Sequence, residues 1–203
     1  MKIKNLGIVA ILFLASGCND GGVKPYEMVL NKTLSQVDMA GYTMVDNNGK
    51  ATDKPVNKNN RHSQYLYLPA ESVGKDSTED KDPDSVIFNT LDGKIGYSLV
   101  NVSLDKMKAA QDMLKDKYGP ALATRAGVRD KAAFESSPAF CKAYNPEAGL
   151  EKNHCPMDYY EIYGNVDEAY MLIKSRSIYA NGHEKLIVVG MTRDAKNYLN
   201  SLE

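Results

Sequence analysis

The residue types best suited to chemistry in this chain are its three cysteines, and the first of them, Cys18, follows a distinctive N-terminal segment. Lys2 and Lys4 precede an unbroken apolar run at positions 6–15, and small residues occupy positions 15–17. This order of charge, apolar run and small residues is typical of a secretory signal peptide. The run is too short to span a bilayer, which needs about 20 apolar residues. The sequence therefore predicts that the chain is exported.

The stretch Leu14-Ala15-Ser16-Gly17-Cys18 resembles the lipobox of bacterial lipoproteins, and the resemblance covers residues 1–18 only. The lipobox family prefers Leu three residues before the cysteine, a place that Ala15 takes here. The resemblance implies that residues 1–17 are a lipoprotein signal peptide and that Cys18 is lipidated, which would anchor the chain to the membrane. Anchoring becomes stable once two acyl chains are present. The alternative is a plain signal peptide that leaves Cys18 free.

The residue after the cysteine indicates which membrane holds a lipoprotein. In lipoproteins of bacteria with two membranes, Asp at this place favours retention in the inner membrane, whereas this chain has Asn19. The resemblance therefore favours the outer membrane over the inner membrane, with the periplasmic or the surface face left open.

The other two cysteines, Cys141 and Cys155, predict a disulfide bond. An even number of remaining cysteines in an exported chain indicates pairing. The intervening segment is polar and contains Pro and Gly, so it can bury little surface. A bond closing a loop of about 15 residues contributes about 3 kcal/mol in the chain-entropy model.

Two alternatives concern the same cysteines. They could remain free thiols, or Cys141, His154 and Cys155 could bind a metal. Three ligands without a CxxC pair form a poor zinc set, so the sequence predicts no metal site here.

The acidic loop at 76–84 could bind calcium, because Asp80, Asp82 and Asp84 have the spacing of the first three ligands of a calcium loop. The glycine and the final glutamate that such a loop requires are both replaced. The other interpretation is a solvated acidic loop, and the sequence leaves both open.

Catalytic motifs fail when they are tested residue by residue. His183-Glu184 lacks the second histidine of a zinc protease helix, and the Ser98 region lacks the second glycine of a nucleophile elbow. His62, His154 and His183 each lie in or beside a predicted loop, so we expect solvated side chains. The sequence predicts no catalytic residue and no cofactor, and we expect that the protein is not an enzyme.

Tyrosine is the unusual aromatic residue of this chain, with 13 Tyr, 4 Phe and no Trp. Tyr144, Tyr159, Tyr160 and Tyr163 lie within or beside the predicted disulfide loop. Exposed tyrosines are good contact residues, so we expect at least one exposed member of this set to bind a partner. This region is distant in sequence from Cys18, so we expect it to project away from the membrane. The alternative is that these tyrosines belong to the core.

Hydrophobic periodicity predicts the elements that position these residues. Leu30, Leu34 and Val37 predict a helix between Pro25 and Gly41. The chain then predicts a strand at 64–68, a hairpin turning at Asp92-Gly93, a helix from Ser103 to Tyr118, and a helix interrupted by Pro138. Strands near 158–163, 170–179 and 184–192 and a C-terminal amphipathic helix complete the predicted elements.

These elements predict an α+β fold, with an antiparallel sheet built of hairpins and helices packed on one face. The predicted organisation is a signal peptide at 1–17, a tether at 18–25 and a single soluble α+β domain at 26–203.

Composition narrows the possible functions. The formal net charge of −1 gives no basic surplus, so we expect no nucleic-acid partner. The sequence favours an envelope lipoprotein that binds an envelope protein without catalysis, as an assembly or accessory factor. An immunity or inhibitor protein and a ligand- or glycan-binding module are the alternatives.

Overall fold

The computed structural model describes residues 22–74, 84–138, 159–176 and 184–201. In these ranges ten strands form one sheet in the order β1-β3-β4-β5-β10-β9-β8-β6-β7, and β2 also pairs with β3. The strands are β1 (Tyr42–Val45), β2 (Asn57–Lys58), β3 (His62–Pro69), β4 (Ser85–Leu91), β5 (Lys94–Ser103), β6 (Ala123–Thr124), β7 (Gly127–Val128), β8 (Tyr159–Gly164), β9 (Glu168–Arg176) and β10 (Glu184–Thr192). The α-helices are α1 (Met107–Tyr118), α2 (Lys131–Ser136) and α3 (Arg193–Asn200).

Every pair of named strands is antiparallel, as predicted. The turn between β4 and β5 has φ of 51° at Asp92 and 81° at Gly93. Positive φ at both central residues is the requirement of a type I′ turn, whose twist matches that of the flanking strands. The predicted hairpin is therefore confirmed, and the mixed α+β class is confirmed with it.

Side chains alternate between two apolar faces of the sheet. The first face consists of a buried cluster whose strand members are Tyr67, Val86, Phe88, Ile95, Val100, Val102, Tyr163, Tyr170, Leu172, Leu186 and Val188. The second face consists of a smaller cluster whose strand members are Ala123, Tyr160, Ile162, Met171, Ile173 and Val189, with Tyr97, Leu99, Val128 and Ile187 partly buried against it.

The helices are divided between these faces. Ala110 and Leu114 of α1 belong to the first cluster, whereas Phe134 of α2 belongs to the second. The prediction that the helices pack on one face is therefore not confirmed.

The predicted N-terminal helix is wrong. Its place is taken by an irregular segment with one 3₁₀ turn at Leu34–Gln36. Asn31 adopts a left-handed φ of 65°, and its N–H donates to the Ile95 carbonyl at 2.9 Å. The Leu30 N–H donates to the Tyr170 hydroxyl at 3.0 Å. Because these groups bind the sheet instead of the next helical turn, the segment lies against the first face.

The predicted helix after Ser103 is confirmed. A 3₁₀ turn at Leu104–Lys106 leads into α1, and Gly119 ends the helix with φ of 76° while its N–H donates to the Lys115 carbonyl at 2.8 Å. The next predicted helix is short, because α2 ends at Ser136, two residues before Pro138.

The sheet has two ends that differ in what they carry. The entry end, where β3 and β5 end and β4 begins, also holds Gly41, whose carbonyl accepts from the Ala70 N–H at 2.9 Å. The described chain starts near this end, because Val23 pairs with Val37, four residues before Gly41. The far end holds the start of β3, the β4–β5 turn and α3. A strand of ten residues such as β5 separates the ends by about 30 Å.

Candidate functional site: a cleft at the far end of the sheet

Two local structures build a cleft at the far end. The Asp92-Gly93 turn returns the chain beside the start of β3, where the Asp92 N–H donates to the Arg61 carbonyl at 2.8 Å. Helix α3 starts directly after β10, and the Thr192 hydroxyl accepts from the Ala195 N–H at 3.2 Å. This contact is an N-cap, which fixes where the helix begins.

A glycine lets α3 lie close to the sheet. Gly96 is an extra residue in β5, at the register shift opposite Asn89 and Thr90, which makes it a β-bulge. A Cβ at this position would lie 2.9 Å from the Ala195 Cβ. The absence of a side chain at Gly96 therefore sets the distance between α3 and β5.

The cleft between these elements has a volume of about 390 Å³. Its lining side chains are Arg61, Leu91, Asp194, Asn197, Tyr198 and Ser201. This volume lies within the range of about 300–1,000 Å³ that small-ligand pockets span.

An aromatic stack of Tyr198, which lines the cleft, on His62 lies at one side of the cleft. The rings of His62 and Tyr198 are 5.7 Å apart and inclined by 19°. Asn59 holds both residues, because its side-chain N–H donates to the Tyr198 hydroxyl at 2.7 Å and its side-chain oxygen accepts from the His62 backbone N–H at 2.7 Å. The Nε2 atom of His62 is buried and has no hydrogen-bond partner in the described ranges. The expectation that His62 is a solvated surface residue is therefore wrong.

Of the charged side chains at the cleft, Arg61 and Asp92 form a salt bridge and Asp194 does not. The Arg61 guanidinium donates to both carboxylate oxygens of Asp92, at 3.1 Å from Nε and 2.6 Å from Nη2. This pairing raises the pKa of Arg61 and lowers the pKa of Asp92. Within the described part of the chain, the exposed Asp194 carboxylate forms no salt bridge, although its charge also helps to raise the pKa of Arg61.

A second group of titratable side chains joins the N-terminal segment and α1 to the start of β9. The Glu168 carboxylate accepts from Lys117 Nζ at 2.5 Å, from the Tyr118 hydroxyl at 2.6 Å and from Asn31 Nδ2 at 3.2 Å. Burial and the hydrogen bond to Glu168 raise the pKa of Tyr118. Because two donors come from α1 and the third comes from the N-terminal segment, this group holds both segments against β9 and stabilises the fold of the first face.

Two of the four tyrosines that the sequence predicts to bind a partner are buried in the structure. Tyr160 and Tyr163 are buried, with 2% and 0% of their surface exposed, so neither can serve as an exposed contact residue in this fold. Alternation along β8 directs them to opposite faces, and both faces are covered there. Tyr144 and the side chain of Tyr159 lie outside what the structure describes, so the prediction now rests on those two residues.

The other predicted sites fall largely outside the described residues. Cys18, Cys141 and Cys155 all lie there, as do Asp80 and Asp82. Asp84 is described, and its carboxylate accepts from Lys185 Nζ at 2.7 Å. That ion pair occupies the carboxylate that the calcium interpretation would use.

The direction in which the disulfide segment projects lies outside the described residues, and only its boundary at Tyr159 is described. Tyr159, which follows the segment, pairs with Lys174 at the entry end of the sheet. The described chain therefore resumes at the entry end of the sheet.

The residues of the cleft form no sequence motif. Arg61 and Asp92 lie at a hairpin and Asp194 lies 102 positions after Asp92 in the printed sequence, so their meeting depends on the sheet order. Among the described residues, no group of three or more His, Cys, Asp or Glu side chains is placed to hold a metal ion.

None of the helices in the described ranges is both long enough and apolar enough to cross a bilayer. Comparison with protein-family models, with curated proteins and with solved structures finds no match to this chain.

Proposed function

We propose that this chain is a lipid-anchored protein of the bacterial cell envelope that binds a protein partner, without catalysis, through the cleft at its far end. In this proposal residues 1–17 are removed, Cys18 carries the lipid, and the outer membrane holds the anchor. The lipobox resemblance supports the anchor, and the cleft supports the binding role as an assembly or accessory factor.

The observation that carries the proposal is the position of the cleft relative to the start of the described chain. Residue 22 follows Cys18 by four positions, a span of at most about 14 Å. The entry end would therefore lie close to the bilayer. The cleft lies at the opposite end of the sheet, about 30 Å further away, where a partner protein meets no obstruction from lipid.

The side chains of the cleft suit recognition. Tyrosine and arginine are enriched among the residues that carry most of the energy of protein interfaces. Tyr198 is held by Asn59 and His62, and Arg61 is held by Asp92. Groups that are already fixed lose less conformational entropy when a partner binds.

The proposal is tested by site-specific crosslinking in cells. A photoreactive amino acid at exposed Asn197 should give a discrete crosslinked envelope protein, and the same group at exposed Lys108 on α1 should give none. A Cys18→Ser variant should lose lipid labelling and remain an uncut precursor. Absence of any adduct from Asn197, or equal adducts from both positions, would contradict the binding role. The identity of the adduct distinguishes an assembly protein from a toxin that an immunity protein would hold.

A further inference from the structure

The lining of the cleft favours one kind of chemical group. Arg61 is the basic side chain among the six that line it, and Asp92 already pairs with that guanidinium. Asp194 adds a second carboxylate, which is exposed at the rim. One guanidinium and two carboxylates therefore leave an excess of negative charge at the cleft, where Asp194 belongs to the lining and Asp92 lies beside it.

The neighbours of Asp194 add shape to this charge. Asp194, Asn197 and Tyr198 line the same cleft, and residues three and four apart lie on one side of a helix. The Tyr198 ring has one face stacked against His62. The cleft thus combines a flat aromatic ring, a carboxylate that forms no salt bridge in the described ranges and interacts with Arg61 only at longer range, and an amide oxygen.

A guanidinium group matches this combination better than other protein side chains do. Guanidinium is planar, stacks on aromatic rings, and donates paired hydrogen bonds to a carboxylate. A cation over a tyrosine ring is also attracted by the negative face of the ring. A carboxylate from the partner would be repelled by Asp194 and would find Arg61 already paired with Asp92, and an apolar side chain would leave the Asp194 carboxylate without a hydrogen-bond donor.

We propose that the far-end cleft binds an arginine side chain presented by the protein partner. Asp194 accepts the hydrogen bonds of the guanidinium, and Tyr198 supports its plane. This inference rests on the proposed function, since it names the chemistry by which the same cleft recognises its partner.

The test uses a small probe in place of the unidentified partner. N-acetyl-arginine amide is titrated into the isotopically labelled mature protein, and amide chemical shifts are followed by NMR. The shifts should cluster at Asp194, Asn197, Tyr198 and Ser201. N-acetyl-glutamate amide, at equal concentration, should leave these resonances in place.

Matched variants decide whether the carboxylate is responsible. Asp194→Asn should weaken binding of the arginine probe about fivefold, as expected for a partly exposed charge pair. Asp116→Asn, an exposed position on α1, should bind the probe like the unmodified protein. Tyr198→Leu removes the ring and should also weaken binding, while the amide spectrum reports that the variant is folded.

Equal shifts with both probes, shifts that do not cluster at the cleft, or unchanged affinity in Asp194→Asn would overturn the arginine proposal. These outcomes are independent of the crosslinking result. An adduct from Asn197 together with no arginine binding would leave the proposed function standing and would remove this inference alone.

Discussion

The first face of the sheet and the far-end cleft are built from the same strands, but they differ in whether their buried polar atoms have hydrogen-bond partners. On the first face the Tyr170 hydroxyl and the Glu168 carboxylate both have hydrogen-bond donors. On the second face and at the cleft, His62 Nε2, Asn89 Oδ1 and Asn101 Oδ1 are buried without partners in the described ranges.

Apolar burial shows the same contrast. In the β3–β5 part of the sheet, Val86, Phe88 and Val100 on the first face are fully buried, whereas Leu66, Ile87 and Leu99 on the second face are only partly buried. The buried strand residues of the second face lie mainly on β8 and β9. A buried polar atom without a partner costs about 1–3 kcal/mol. The first face therefore contributes stability along the whole sheet, whereas the second face over β3–β5 and the cleft retain surface that is not optimised for the isolated chain.

The largest expected effect is on the first face. Leu114→Ala removes a fully buried side chain of α1 and should lower the free energy of unfolding by about 2–5 kcal/mol. Leu199→Ala, at a position that is 38% exposed on α3, is the matched control and should change stability little. Chemical denaturation measures both, and similar losses in the two variants would break the comparison.

The next effect is alkaline destabilisation. Burial raises the pKa values of Tyr42, Tyr67, Tyr97, Tyr118 and Tyr170. The folded state therefore holds phenol protons that the unfolded state releases above its tyrosine pKa of about 10. The stability from these groups is fully present below about pH 10 and is lost as the pH rises through the folded-state pKa values.

Urea unfolding at several pH values on either side of about pH 10 measures this loss. A free energy of unfolding that stays level or rises across that range would show that burial does not raise the pKa values of these tyrosines in the folded state.

A smaller effect isolates the Glu168 group. Tyr118→Phe removes the hydroxyl that donates to this carboxylate, and hydrogen bonds to charged groups contribute about 1.5–3 kcal/mol. Tyr97→Phe changes a half-buried tyrosine on the second face and should have a smaller effect. Thermal unfolding compares the two, and an equal or larger loss in Tyr97→Phe would remove the distinction between the faces.

Disturbing the contact between α3 and the β-bulge should lower the free energy of unfolding by an amount similar to, or smaller than, the loss in Tyr118→Phe. Gly96→Ala places a Cβ at 2.9 Å from the Ala195 Cβ and should cost about 1–3 kcal/mol through overpacking. The double variant Gly96→Ala with Ala195→Gly removes the opposing methyl group. It should recover part of the loss, within the lower helix propensity of glycine. The losses of Gly96→Ala and Ala195→Gly, measured separately, add up to an expected loss for the double variant. If the double variant loses as much as this sum, the close approach of α3 does not set the geometry of the cleft.

The sequence predicts the parts of this fold whose signals are local. Asp92-Gly93 specifies its own turn, and Gly119 followed by Pro120 ends α1, because both depend on backbone preferences of the residues present. The segment around Asn31 was predicted as a helix because its apolar spacing is helical. Its hydrogen bonds to Ile95 and Tyr170 come from distant strands and cannot be predicted from local spacing.

The candidate site could not be predicted for the same reason. The cleft depends on β10 pairing with β5, which brings α3 beside the β4–β5 turn. The tyrosine pattern near the cysteines predicts a partner-binding surface at a different place. Tyr160 and Tyr163 are buried because other residues pack on both faces of β8. A buried and an exposed tyrosine have the same spacing along a strand, so sequence alone does not separate them.

The central claim is that the cleft recognises its partner through Asp194 without contributing to the stability of the fold. The most direct measurement is the yield of the Asn197 crosslink in cells that carry Asp194→Asn, compared with cells that carry Asp116→Asn. The account predicts a yield reduced about fivefold in Asp194→Asn and unchanged in Asp116→Asn, with equal thermal stability of the two proteins. An undiminished crosslink in Asp194→Asn would contradict it.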